Sequence, residues 1–381
     1  MTAFQAVLAQ RVQGVGESKT IGVFSLAREL RRQGRQIFSL AVGEPAFDTP
    51  QAVIDATRRA LTEQQTRYSA VAGLETLRER LAESFEGYGA ENILVANGAK
   101  QALFSIFQVL CDPADEVIVP QPCWVSFCEQ IKLAGGRPVP VATIDHQLDP
   151  AAIEKAVNRR TKAILVNTPN NPTGAVYPRE RLAEVAEIAA SHGLYLISDE
   201  AYHLFTYDGL PHVPMREVAA DRDRVITVRS FSKHYNMTGF RLGYVAAHEA
   251  VIAALTRLQS HLSGNVCTFA QYGGLGALQM DQGIVEARRL ELERRRDLAY
   301  ELTRELFECV KPQGAFYLFA DARAHLGAGE SSEDLAMRLL DRAGVAVVPG
   351  EAFGGPGHIR IAFGAAETEM RAAFDKIKEV L

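Results

Sequence analysis

Two hydrophobic periods alternate along the chain. Leu74, Leu77, Leu81 and Phe85 recur at helical spacing, as do Leu182, Val185, Ile188 and Ala189, with Gly193 placed as a carboxyl-terminal stop. Short runs rich in β-branched and aliphatic residues predict strands at 92–96, 116–120, 162–167, 194–198 and 225–229. Strands interleaved with amphipathic segments predict a parallel sheet flanked by helices. A long helical pattern covers about 284–307, and Pro312 and Gly314 break it. The tail alternates again, predicting strands at 316–319, 345–348 and 358–362 and helices around 333–342 and 367–381. The expected fold class is α/β, a mostly parallel sheet flanked by helices with a second, smaller α+β domain. Residues 1–45 are expected to form an amino-terminal arm and part of the small domain, 46–280 the large domain, and 281–381 the small carboxyl-terminal domain.

Composition narrows the class. The 381 residues are 47% apolar and 23% charged, with a net charge of −5, which are globular values. A pI near 6.0 lacks the basic excess of a nucleic-acid binder. The one dense basic run, Arg294-Arg295-Arg296, falls in a predicted helix and is expected to form a solvated face. Five cysteines at 111, 123, 128, 267 and 309 include no C-x-x-C pair. That pattern argues against a disulfide framework or a structural zinc site and suits a reducing compartment, so no metal is expected. Met1 to Gln10 lacks the features of a signal peptide, and no apolar run approaches the ~20 residues a membrane helix needs. The expected setting is cytoplasmic, with neither membrane nor nucleic acid as partner.

The polar residues carry more information. Each predicted central strand ends in a polar cluster: Asn97-Gly98-Ala99-Lys100, Gln121-Pro122-Cys123-Trp124, Thr168 through Gly174, Asp199-Glu200-Ala201-Tyr202, and Ser230-Phe231-Ser232-Lys233. In doubly wound sheets ligands bind just beyond the carboxyl ends of strands, so these segments are expected to converge on one crevice. A lysine that forms a Schiff base must lose its proton, which needs a partly desolvated site with positive charge nearby. Arg241, eight residues after Lys233, has the charge to do this and a fork suited to phosphate. An isolated lysine is ordinarily a surface residue; this one sits among Ser, Met, Gly and Arg that otherwise have no reason to cluster.

The stretch from Ser230 to Tyr244, with Ser230, Ser232, Lys233, Met237, Thr238, Gly239, Arg241, Gly243 and Tyr244 at their spacing, resembles the lysine signature of class I aminotransferases. These are fold-type-I pyridoxal phosphate enzymes. The resemblance runs from Leu40-Ala41-Val42-Gly43-Glu44-Pro45 to His358-Ile359-Arg360-Ile361, with Asn170-Asn171-Pro172-Thr173-Gly174 and Ser198-Asp199-Glu200-Ala201-Tyr202 the most specific motifs. Among subgroups it is most similar to bacterial aspartate and prephenate aminotransferases.

The resemblance implies pyridoxal 5′-phosphate as cofactor and Lys233 as catalytic base. It implies that Asp199 faces the pyridine nitrogen and keeps the ring an electron sink. Tyr202 and Asn171 would share the ring's 3′-oxygen, and Trp124 would stack on the ring face. The phosphate would rest on the backbone amides of Gly98, Ala99 and Lys100 at a helix amino terminus, with Ser230 and Arg241. Tyr68 would reach the neighbouring subunit's phosphate, which implies a homodimer with composite sites.

For substrate, the resemblance implies that Arg360 forks onto the α-carboxylate and that Gly43 brings backbone close to it. Asn171 and Trp124 would also contact the substrate. Lys100 would meet the distal carboxylate of a dicarboxylic substrate, assisted by Thr20. The implied reaction is ping-pong transamination between aspartate or another acidic amino acid and a 2-oxo acid such as 2-oxoglutarate. Three departures bear on the amino donor: Cys123 replaces a usual aromatic, Gly16 a usual basic residue, and Ser230-Phe231-Ser232 a Gly-Ala-Ala type stretch. The alternatives are an aminotransferase for aromatic or other neutral donors, which Lys100 opposes, and a β-lyase, which would not depend on 2-oxoglutarate. A ligand-sensing regulator on the same fold would carry an added DNA-binding module, for which 381 residues leave no room.

Overall fold

The computed structural model describes residues 9–16 and 19–381. Strand β1 (Phe38–Ser39) precedes a seven-stranded sheet made of β2 (Ile93–Ala96), β3 (Glu116–Gln121), β4 (Arg137–Ala142), β5 (Thr161–Asn167), β6 (Tyr195–Asp199), β7 (Val225–Ser230) and β8 (Gly243–Ala246). The order across the sheet is β2-β8-β7-β6-β5-β3-β4. All neighbours from β7 to β4 pair parallel, and β8 lies antiparallel to both β7 and β2. The sheet is therefore mostly parallel, as the alternation of periods predicts.

The sheet is covered on both faces, which is why the central strand β5, and even the edge strand β2, read as near-continuous apolar runs. Helices Ala99–Leu110, Ser126–Leu133 and Glu249–Leu262 cover one face through Leu103, Phe107, Phe127, Ile131 and Leu255. Helices Pro150–Ala156 and Arg179–Ser191 cover the other through Ile153, Leu182 and Val185. Burial of each such side chain contributes roughly 1.5–3 kcal/mol. The sequence pattern predicts neither β4 nor β8. Pro138 and Pro140 hide β4, yet at an edge one side of the strand has no partner to bond, so they are tolerated.

The remaining strands are β9 (Glu308–Cys309), β10 (Tyr317–Asp321), β11 (Val345–Ala346), β12 (Val348–Pro349) and β13 (His358–Ala362). Four of them form an antiparallel sheet in the order β12-β13-β10-β9. The single strand expected at 345–348 is two: β11 pairs parallel with β1, and β12 pairs with β13. The segment near the amino end thus joins the carboxyl-terminal layer. Helix Gly283–Arg304 packs Leu292 and Ala299 against this layer, with Met370 and Phe374 of helix Glu367–Lys378 beside them. The helix expected at 333–342 is α-helical over Ser332–Arg338, widens to a π turn at Leu339–Ala343 and stops at Gly344 with φ +65°.

One surface expectation is corrected. Arg294 is solvated, but Arg296 is fully buried and Arg295 is 8% exposed. Arg296 forks onto both carboxylate oxygens of Asp208, donates to Pro312 O and stacks its guanidinium 5.0 Å from the Tyr207 ring. A paired guanidinium on an apolar stem can be buried where an unpaired one cannot. Among the described residues, no helix is long and apolar enough to cross a membrane, and no group of three or more His, Cys, Asp or Glu is arranged to hold a metal.

Candidate active site

The carboxyl ends of β5, β6 and β7 and the amino terminus of helix Ala99–Leu110 meet Tyr317 of β10 and Arg360 of β13. Between them lies a cavity of about 500 Å³ lined by Gly43, Ala99, Lys100, Trp124, Asn171, Asp199, Tyr202, Ser230, Lys233, Arg241 and Arg360. These come from segments more than three hundred residues apart, and all were singled out by sequence. Gly98 adjoins the cavity. Tyr68 does not line it and is 99% exposed. The Thr20 side chain lies outside the described residues. Gly16 is exposed, its N–H donating to Glu129 Oε2 at 3.3 Å.

Lys233 stands just past β7, and its Nζ donates to the Gly43 carbonyl at 2.6 Å. Gly43 therefore offers the cavity its carbonyl as well as close backbone, and a Cβ there would sit 3.1 Å from the Tyr317 hydroxyl. Loss of water around the ammonium lowers the Lys233 pKa to about 8; Glu44 opposes this, and Arg360, Arg241 and Lys100 reinforce it.

Asp199 ends β6 and is 5% exposed. Burial raises its pKa to about 7, with Glu200 adding to the rise, against the Ala201 N–H donated to its Oδ1 and the charge of Lys233. A carboxyl held this high is completed by a cationic partner, which would restore its charge. Behind it, Glu200 accepts from Arg229 Nε and Nη2 at 2.9 and 2.8 Å and from Ser198 Oγ. Burial pushes Glu200 up, but Arg229 and His212 outweigh it and hold the pKa at about 2.

Tyr202 bonds Tyr317 hydroxyl to hydroxyl at 3.0 Å. Asn171 accepts from Arg360 Nη1 through Oδ1 at 3.0 Å, so its NH₂ group remains to donate. Arg360 also donates to Ala41 O at 2.9 Å, and its buried Nε has no protein partner. A buried guanidinium nitrogen left open is costly unless an anion arrives. Lys100 is exposed at the mouth, its Nζ 4.8 Å from the Trp124 ring, and partial burial with Arg241 nearby lowers its pKa. Trp124 is half-buried and meets Phe127 edge-on.

At the other end, Gly98 takes φ +80°, which a side chain resists, and a Cβ there would fall 2.6 Å from Arg241 Nη2. Gly98 thereby keeps clear the space between Arg241 and the free amides opening helix Ala99–Leu110. Ser230 is buried on the same side, its Oγ accepting from Ser232 N–H. Cationic fork, helix amides and hydroxyl thus supply hydrogen-bond donors to the cavity, which the aspartate and the lysine also line. This donor set fits pyridoxal phosphate at each of its polar ends.

Sequence reasoning missed Tyr317, Glu44, Ser232 and Thr238, which also line the cavity. Glu44, Ser232 and Thr238 lie inside motifs already quoted, whereas Tyr317 is the first residue of β10, between the apolar Phe316 and Leu318, and no local polar cluster marks it.

A family model described as "Aminotransferase class I and II" matches residues 35–377. The "Aspartate/prephenate aminotransferase" of Thermus thermophilus is 41% identical over 386 residues, covering 98% of this chain and 98% of that protein. The "Aspartate aminotransferase" of Geobacillus stearothermophilus is 38% identical over 383 residues, covering 97% and 98%. A solved structure titled as the Thermus thermophilus aspartate aminotransferase with maleate superposes with a TM-score of 0.94 at 41% identity, over 99% of this chain and 100% of that one.

Proposed function

The chain belongs to the class I and II aminotransferase family, and from that premise we propose that it transfers the amino group of aspartate, or another acidic amino acid, to a 2-oxo acid such as 2-oxoglutarate, using pyridoxal 5′-phosphate. The observation that carries this reading is a single cavity in which a lysine of lowered pKa, an aspartate of raised pKa and a buried arginine with an open Nε all meet.

When bound, pyridoxal phosphate supplies an electron-withdrawing ring that makes the substrate α-proton removable. Gly98, Ala99 and Lys100 amides, Ser230 and Arg241 would hold the phosphate, Trp124 would pack against the ring, and Asp199 would offer its carboxylate to the ring nitrogen. Tyr202 and Asn171 would donate to the ring oxygen. Arg360 grips the α-carboxylate through the Nε that lacks a protein partner, and Lys100 meets the second carboxylate. Lys233 Nζ takes the proton from the substrate α-carbon, a transfer its pKa of about 8 makes efficient near neutrality. Tyr68, almost wholly exposed, completes the phosphate site of a second copy, so the working unit is a homodimer. We read residues 46–280 as the large unit that holds the cofactor, and 281–381 with the amino-terminal arm as the small unit, which brings Tyr317 and Arg360 to the cavity. Five free thiols suit a reducing, cytoplasmic setting.

The test is side-by-side turnover of aspartate, glutamate, prephenate, phenylalanine and tyrosine by the pyridoxal phosphate-loaded protein. Aspartate with 2-oxoglutarate is expected to exceed phenylalanine in kcat/KM by at least about tenfold, one charge contact's worth. Preference for phenylalanine would favour the neutral-donor enzyme instead, and turnover without 2-oxoglutarate a lyase.

A further inference from the structure

We propose that Tyr317 is a positioning residue of this site, fixing the Tyr202 proton through its hydroxyl while its ring carries the Arg360 guanidinium. The inference rests on the reading of the site given above and adds a residue that reading does not use. Tyr317 opens β10, and β10 pairs with β13 in the register Tyr317↔Ala362 and Phe319↔Arg360. Arg360 is thus a diagonal cross-strand neighbour of Tyr317, within reach on one face. Its guanidinium carbon lies 4.3 Å from the Tyr317 ring centroid. On its other side, the Tyr317 hydroxyl is 3.0 Å from that of Tyr202, with the rings 5.7 Å apart at 85°. Tyr317 is 1% exposed, Tyr202 6% and Arg360 4%, so water does not intervene freely between them.

Each phenol has one proton. Either oxygen can donate within the pair while the cavity holds protein atoms alone. Once Tyr202 commits its proton to a ring oxygen, only Tyr317 can donate to Tyr202. The order is then fixed as Tyr317 O–H to Tyr202 Oη, and Tyr202 O–H to the ring oxygen; donors in such a chain strengthen one another. Burial raises the pKa of both phenols, so what passes along the pair is proton order rather than charge. Tyr317 touches the residue proposed for the cofactor and the one proposed for the substrate carboxylate. It is the side chain that holds these two in register.

Tyr317→Phe isolates the hydroxyl, because the ring beneath Arg360 remains. With weaker donation from Tyr202 the ring oxygen is less stable as an anion, and the proton on Lys233 Nζ in the loaded protein persists to higher pH. The midpoint of the pH-dependent visible absorbance should rise by about half a unit to one unit, the net worth of one hydrogen bond. Turnover of aspartate should fall roughly three- to tenfold in kcat with KM changed by less than about twofold, the split expected when a contact acts in the reaction rather than in binding. Tyr317→Leu removes the ring as well and should raise KM for aspartate severalfold. Thermal melts of the cofactor-free variants confirm that each is folded. A midpoint in Tyr317→Phe that is unchanged or lowered overturns the proposal. A wild-type protein that binds pyridoxal phosphate with no visible band that Lys233 controls would sink the reading of the site itself, a separate result.

Discussion

Arg360 donates from Nη1 to Asn171 Oδ1 at 3.0 Å, across 189 positions of sequence. A residue expected to bind substrate and one expected to serve the cofactor are therefore locked together by the fold, before either ligand contributes. Arg360→Lys tests the lock. Lysine keeps the charge but loses the planar fork, so it cannot bond Asn171, Ala41 and a carboxylate together. Truncating such a buried charge contact costs about 2–5 kcal/mol. Steady-state kinetics should show kcat/KM for aspartate falling at least thirtyfold, about 2 kcal/mol at 1.4 kcal/mol per decade. A smaller loss would mean that Arg360 does not carry the α-carboxylate.

Lys233 ties the site to stability. Its pKa is lowered from 10.5 to about 8, so between these values the unfolded chain binds more protons than the folded one. The destabilisation it causes is complete below pH 8 and fades as pH rises toward 10.5. Lys233→Met should therefore raise Tm of the cofactor-free protein at pH 7, by an amount that shrinks at pH 10. After addition of pyridoxal phosphate the same variant should show no visible band beyond that of the free cofactor, and no measurable turnover. A Tm gain that grows with pH would contradict the sign.

Glu200 and Arg229 make the opposite case. Both are buried, and the pair is fork-bonded beneath Asp199. Glu200→Gln leaves a buried guanidinium without its counter-charge, which typically costs 3–5 kcal/mol. Urea unfolding at pH 7 should report a loss near that size. Because the Glu200 pKa is depressed to about 2 from 4.5, its contribution is present above pH 4.5 and lost as pH falls through 2. The gap between variant and wild type should narrow over that window.

The site was legible because a parallel sheet aligns its strand ends. Asn97–Lys100, Thr168–Gly174, Asp199–Tyr202 and Ser230–Lys233 each break an apolar run with polar residues, and that break is local information. What was not legible depends on pairing at a distance. The split of 345–348 is decided by β1 and β13, the one paired near residue 38 and the other near residue 360. The role of Tyr317 depends on a register with β13 some forty residues away, and its own neighbours Phe316 and Leu318 read as plain strand. The burial of Arg296 depends on Asp208, invisible from the helix pattern alone.

Lys100 is the residue at which the choice between donors is tested. It is the second residue of the helix that starts at Ala99, and its Nζ lies 4.8 Å from the Trp124 ring centroid at the cavity mouth. A second carboxylate there would meet a cation already partly stripped of water. Lys100→Ala should lower kcat/KM for aspartate and glutamate by more than about tenfold, or 1.4 kcal/mol, and leave phenylalanine nearly unchanged. Equal losses for both donor classes would assign Lys100 to the cofactor or the fold, and the neutral-donor reading would gain.

Tyr68 is the residue for which the single chain supplies no role. It is 99% exposed, while the phenols of Tyr202 and Tyr317 in the cavity are buried. A large aromatic left wholly in water loses the burial that would repay its place in the chain, about 1.5–3 kcal/mol for a side chain of this size. If its phenol bonds the phosphate of a second copy, Tyr68→Ala and Lys233→Ala subunits are each inactive or nearly so by themselves, for different reasons. In a hybrid dimer one composite site combines both defects and the other has neither. Random exchange of equal amounts makes half of all dimers hybrid, each with one intact site of two, so about a quarter of wild-type activity should return. The measurement is turnover after mixing, with exchange followed by mass-tagged subunits. No recovery despite complete exchange would place Tyr68 in the service of its own chain.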